Sequence, residues 1–124
     1  MTGQNMLLEV GDLDFASKVL QADLPVIVEF SASWCPHCHA LEPVLAKLGR
    51  EEYQGVARFV KTDVDESQDI AMHYGIQGMP TLLLFHKGQE IGRLIGPHPT
   101  RVKRNLDAAL AENGLLTANR SQVR

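Results

Sequence analysis

Cys35 and Cys38 are the only cysteines in this 124-residue chain, and they stand three apart within Ser31-Ala32-Ser33-Trp34-Cys35-Pro36-His37-Cys38-His39-Ala40. Residues three apart on a helix share a face, with β-carbons about 5–6 Å apart, so the two sulfurs can form and break a disulfide with little rearrangement. A helix starting at Cys35 or Pro36 would surround the first sulfur with unpaired backbone N–H groups and the positive end of the helix dipole, which favour a thiolate. Cys35 is therefore expected to be the nucleophile, and Cys38, one turn deeper, the thiol that resolves a mixed disulfide. His37 lies between them, where a hydrogen bond or positive charge would stabilise the Cys35 thiolate and set the redox poise. Closing so short a loop removes only roughly 2 kcal/mol of unfolded-state entropy, so the pair is better explained by chemistry than by stability.

Other chemistries use the same spacing. A structural zinc site needs four ligands, and His37, His39, His73, His86 and His98 offer no second pair at ligand spacing. Cys35 to His39 spells the C-x-x-C-H of a haem attachment, but the elements around it read as strands, where a haem wrap needs helices and an axial ligand. Two incidental buried cysteines are the remaining alternative.

The elements that must position the pair are legible on both sides. Pro25-Val26-Ile27-Val28-Glu29-Phe30 is a short β-branched run that reads as a buried strand carrying one carboxylate. Glu29, if buried, must be protonated or partnered; the competing reading is an edge-strand residue reaching solvent. After the cysteines, Leu41, Val44, Leu45 and Leu48 recur at helical spacing, with Pro36 suited to the first turn and Pro43 expected to kink the helix.

Trp34-Cys35-Pro36-His37-Cys38 after an apolar strand, with Met79-Pro80-Thr81 far downstream, resembles the thioredoxin family over about Leu13 to Asn113. The resemblance implies a thioredoxin fold: a central mixed β-sheet of about five strands flanked by about four helices. It implies that Glu29 exchanges a proton with Cys38, that Lys61 is the partner of Glu29, and that the peptide bond before Pro80 is cis. It also implies an apolar, substrate-binding rim of Trp34, Pro36, Gly78, Met79, Pro80 and Gly96, whose backbone pairs with an extended client chain. Ser31, where the family commonly has a second tryptophan, and Pro97 alter that rim. Pro-His between the cysteines departs from the usual Gly-Pro and is similar to the periplasmic oxidases such as DsbA, which opens the reverse direction of electron flow.

In chain order, Met6 to Val10 reads as an edge strand, and Asp12 as the cap of a helix with Leu13, Phe15, Ala16, Val19 and Leu20 on its apolar face. Val56 to Val64 reads as a second buried strand, and Asp65-Glu66-Ser67 opens a short helix ending at Tyr74-Gly75. Thr81 to Phe85 and Ile91 to Ile95 form a hairpin about Lys87-Gly88. Thr100 is expected to cap a last helix bearing Val102, Leu106, Ala109 and Leu110 and ending at Gly114, with a frayed tail past Leu116. Helix-separated early strands favour parallel pairing and the late hairpin is antiparallel, giving a mixed sheet.

Hydrophobic content of 44% suits one compact domain over residues 1–124, with its core at about 6–114. A net charge of −3 with both signs dispersed leaves no footprint for nucleic acid or an acidic membrane. No apolar run reaches a membrane span and the N-terminus lacks a signal pattern, so a cytoplasmic monomer is expected. The expected activity is thiol-disulfide exchange on protein clients through Cys35 and Cys38, with no bound cofactor. Electrons would come from a separate thioredoxin reductase, since no nucleotide-binding glycine motif is present. The alternatives are an oxidase or isomerase, a client-binding module with idle cysteines, and a metal or haem carrier.

Overall fold

The computed structural model describes residues 7–116, so Met6 and the tail past Leu116 lie outside the described residues. Nine elements follow in order: β1 (Leu8–Glu9), α1 (Ala16–Leu20), β2 (Val26–Ser31), α2 (Pro36–Arg50), β3 (Arg58–Asp63), α3 (Gln68–His73), β4 (Thr81–His86), β5 (Gln89–Ile95) and α4 (Val102–Glu112). The strands form one sheet in the order β1-β3-β2-β4-β5. β3 runs parallel to β1 and β2, whereas β4 is antiparallel to β2 and β5. This is the mixed five-stranded sheet of the thioredoxin fold, with four helices among the described residues.

β2 is the middle strand, and all six of its residues are buried. Alternation divides them between two faces. Val26, Val28 and Phe30 join Phe15, Val19, Leu83 and Phe85 in the core beneath α1. Ile27 joins Leu41, Leu45, Leu82, Leu84, Leu106 and Leu110 in the core beneath α2 and α4. Glu29, two residues from Ile27, faces the same side, and α2 continues through Pro43 to Arg50 as its roof.

Several elements differ from expectation. α1 is a π-type turn, with the Gln21 N–H bonded to the Ala16 carbonyl, and only Phe15 and Val19 of the predicted face are buried. Leu13 and Ala16 are exposed instead. Asp12 does not cap α1: its carboxylate accepts the Ile70 N–H at 3.0 Å and so caps the first turn of α3. β3 is shorter than the 56–64 expected, because Val56 and Ala57 end a turn built on the Tyr53 carbonyl. Thr100 does not cap α4 either; its N–H donates to the His98 ring at 3.1 Å, and Arg101 stands at the helix start with no side-chain cap. The β4–β5 turn matches expectation, with Lys87 at φ 54° and Gly88 at φ 81°, the paired positive φ of a type I′ hairpin.

Candidate active site

The two sulfurs sit where β2 hands over to α2. Cys35 is the N-cap of α2, Pro36 takes the first helical position, and the Cys35 Sγ accepts the Cys38 N–H at 3.1 Å. Cys35 and Cys38 are bonded to one another, with Cα atoms 5.3 Å apart. Cys38 is wholly buried and Cys35 is 5% exposed, so an approaching client meets Cys35 first. An N–H aimed at Cys35 Sγ from a helix N-terminus is what would hold negative charge on that sulfur once the bond opens.

His37 stands beside this bond on the exposed side, and its Nε2 lies 3.0 Å from the Pro97 carbonyl oxygen. A carbonyl only accepts, so Nε2 carries the hydrogen. The donor found on the Cys35 sulfur is thus the Cys38 N–H, and the His37 hydrogen bond goes to Pro97. Met79 packs on Ala32, Cys35 and Cys38, and the Met79–Pro80 peptide bond is cis. The Gly96 N–H donates to the Pro80 carbonyl at 2.8 Å, and the Gly78 carbonyl accepts the Thr81 hydroxyl at 2.6 Å. His37, Met79 and Gly96 are therefore tied around the disulfide, with Gly78 and Gly96 exposed, whereas Pro80, expected on the rim, is buried just before the start of β4.

Trp34 is 64% exposed, yet its ring is fixed, because Nε1 donates to the Asp65 carboxylate at 2.9 Å. Sequence reasoning placed Asp65 only at a helix start; the parallel alignment of Ser31 with Asp63 is what brings it beside Trp34. Ile95, 75% exposed and next to Gly96, extends the apolar surface and was likewise read only as a strand residue.

Beneath the site, Glu29 is fully buried, and among the described residues neither carboxyl oxygen has a hydrogen-bond partner. Burial, with the Glu42 charge acting in the same direction, pushes its pKa up to about 9, against a smaller lowering by Lys61. It is therefore protonated at neutral pH, and the solvent-reaching alternative does not hold on a central strand. The expected Glu29–Lys61 pair differs in detail. Lys61 lies level with Glu29 on β3, but its Nζ pairs with Glu42 Oε1 at 3.4 Å. Glu42 was not singled out from the sequence. Its signal is the position four residues after Cys38, which places both on one helix face.

Among the described residues, no group of three or more His, Cys, Asp or Glu side chains is arranged to hold a metal ion, and no helix is long and apolar enough to cross a membrane. A strand-to-helix disulfide between one wholly buried and one slightly exposed cysteine, with a buried glutamate on the strand below, defines a class: proteins that exchange dithiol for disulfide. The thioredoxin family model matches residues 6–110. The chain is 37% identical to thioredoxin 1 of Nostoc sp. over 91 residues, 73% of this chain and 84% of that protein. It is 40% identical to the thioredoxin of Pseudomonas aeruginosa over 90 residues, covering 73% and 82%. It is 35% identical to thioredoxin 1 of Synechococcus elongatus over 102 residues, covering 82% and 94%. The chain belongs to the thioredoxin family. It is a thiol-disulfide oxidoreductase whose redox-active group is the Cys35–Cys38 disulfide.

Proposed function

We propose that the protein reduces disulfides of client proteins in the cytoplasm and is itself returned to the dithiol by a separate thioredoxin reductase. The Cys35 thiolate attacks a client disulfide, one client sulfur leaves as a thiolate and is protonated, and a mixed disulfide forms. Once Glu29 has released its own proton, its carboxylate takes the proton of Cys38, and the Cys38 thiolate attacks Cys35, which closes the protein disulfide and releases the second client thiol. The observation that carries this reading is the asymmetry of the pair, Cys35 slightly exposed with its sulfur on a helix N–H and Cys38 wholly buried within α2. Trp34, Pro36 and Met79 offer clients a contact surface, and the backbone at Gly78 and Gly96 offers strand-like pairing.

A second reading, as a disulfide-introducing oxidase or isomerase, draws on His37, a potential cation one residue from each cysteine. Supplying NADPH and a thioredoxin reductase, and following insulin reduction, tests the first reading. Turnover that Cys35→Ser abolishes supports it. A protein that the reductase leaves oxidised, but that oxidises a reduced client, supports the second. Client capture undiminished in Cys35→Ser would mean that the cysteines are idle.

A further inference from the structure

Glu29 has no contact with water, and a group that gives and takes protons must exchange them with water. Its side chain is sealed in the middle strand of the sheet. Beside it opens a cleft of about 220 Å³. The titratable groups on its walls come from every element around it: His39 and Glu42 of α2, Lys61 and Asp63 of β3, Glu9 of β1, and Glu66 from the turn after β3. Glu29 is not among the residues lining this cleft, but Glu42 is, with its side chain 14% exposed. The Glu42 carboxylate meets Lys61 Nζ at 3.4 Å, and Lys61 lies level with Glu29 on the neighbouring strand. Glu42 thus stands between the cleft and Lys61, the cross-strand neighbour of the buried acid.

We propose that Glu42 is the solvent-side member of a two-carboxyl relay that loads and unloads the proton of Glu29. The proposal rests on the acid-base reading of Glu29 given above. When a reductase thiolate opens the disulfide at Cys35, Cys38 leaves with the bonding electron pair and takes the proton of Glu29. Glu42 then passes one proton from cleft water to the Glu29 carboxylate. In client reduction the same path runs in reverse: Glu29 first unloads its proton through Glu42 to cleft water, the Cys38 S–H then gives its proton to the Glu29 carboxylate, and the Cys38 thiolate attacks Cys35 as the client thiolate leaves. Lys61 is a positioning residue that orients Glu42, and the proton steps are confined to the two carboxyl groups.

The test follows opening and closing of the disulfide by stopped flow across pH 6–10, with Trp34, the only tryptophan, as the fluorescent reporter. A positioned proton carrier contributes about 10²–10⁴-fold, and with water as a partial substitute Glu42→Gln is expected to slow exchange by about 10-fold near neutral pH. Client KM should be unchanged, and Glu42→Asp should retain most of the rate. The decisive readout is Glu42→Ala, which enlarges the cleft: added formate or acetate should restore its rate in proportion to concentration. A purely structural or electrostatic role for Glu42 would not produce that rescue. If Glu42→Gln keeps the wild-type rate, or Glu42→Ala is not rescued, while Glu29→Gln loses the pH dependence of exchange, the relay is overturned and the role of Glu29 stands. If Glu29→Gln itself leaves the pH dependence unchanged, the acid-base reading of Glu29 falls and the relay falls with it.

Discussion

At Cys35 the stability of the thiolate is shared between a backbone donor and a side chain, and the two can be separated experimentally. The Cys38 N–H is supplied by the fold whatever residue stands at 37, because it is the free donor of a helix N-terminus. The proposal for His37 is that it adds the part that depends on sequence. Its Nε2–H is engaged with Pro97, so it acts on Cys35 as a nearby polar or charged ring and not through that hydrogen. Favouring the thiolate favours the dithiol state, which makes the reduction potential less negative. Replacing His37 with Gly should therefore lower the potential by about 20–40 mV, equivalent to about 1–2 kcal/mol of lost thiolate stabilisation. Equilibration with glutathione or a known dithiol measures it, and an unchanged or raised potential would remove His37 from the redox poise. The cysteines, His37 and Glu29 were legible in sequence because each violates a local pattern: two sulfurs at fixed spacing, an imidazole between them, a carboxylate in an apolar strand. Asp65 and Glu42 violate none. Each looks like an ordinary surface acid until β3 is laid beside β2 and α2 is laid over both.

Among the elements, the β4–β5 hairpin shows how far local chemistry alone can specify structure. Lys87 occupies φ 54°, a conformation that costs a residue with a β-carbon about 1–2 kcal/mol and that Asn tolerates. Lys87→Asn should accordingly raise the unfolding free energy by about 1 kcal/mol with no change in denaturant slope. A loss of stability would mean that the Lys87 side chain makes contributions beyond the turn. The strands β2 and β4 were read correctly for a related reason, since strands buried on both faces are continuous apolar runs bounded by turn residues. α1 differs from the sequence expectation because helical spacing assumes a regular helix with bonds from residue i to i+4 along Asp12 to Leu20. The element runs only from Ala16 to Leu20, closed by the bond from Gln21 back to Ala16, and Leu13 stands in solvent in the turn before it, while Phe15 and Val19 turn inward. What stabilises that arrangement is tertiary: Phe15 meets Phe30, Tyr74 and Phe85 with ring centroids 6.4, 5.8 and 5.6 Å away. Nothing within the helix announces those partners. Likewise Thr100 has the right side chain for a cap, but the preceding Pro97-His98-Pro99 turn puts the His98 ring where the Thr100 N–H can use it.

For the whole molecule, the buried acid ties folding to pH in a direction opposite to that of most carboxylates. Paired carboxylates have lowered pKa values and stabilise a protein as pH rises; Glu29 has its pKa raised from 4.5 to about 9 by burial and by Glu42. Between those two values the folded chain holds a proton that the unfolded chain releases. The contribution of Glu29 is therefore intact below pH 4.5 and declines as pH rises toward 9, at up to about 1.4 kcal/mol per pH unit. By pH 7 the accumulated loss is about 3 kcal/mol, a substantial part of the 5–15 kcal/mol that folds a domain of this size. Glu29→Gln keeps the shape of the protonated acid and cannot ionise. Its stability should match wild type near pH 4, exceed it by about 3 kcal/mol at pH 7, and exceed it further at pH 8.5. Subtracting variant from wild-type unfolding curves at each pH cancels most of the titration of groups far from Glu29, such as Asp14, whose pKa is lowered by the Gly11 N–H and Lys18, and Lys103, raised by Asp107. A difference that stays flat from pH 4 to pH 8.5 would mean that Glu29 is solvated or paired as a carboxylate in the folded state. A difference that widens with pH would mean that the chain gives up stability to keep a titrating acid beneath its disulfide, a sacrifice that makes sense where proton transfer, and not folding, decides the residue.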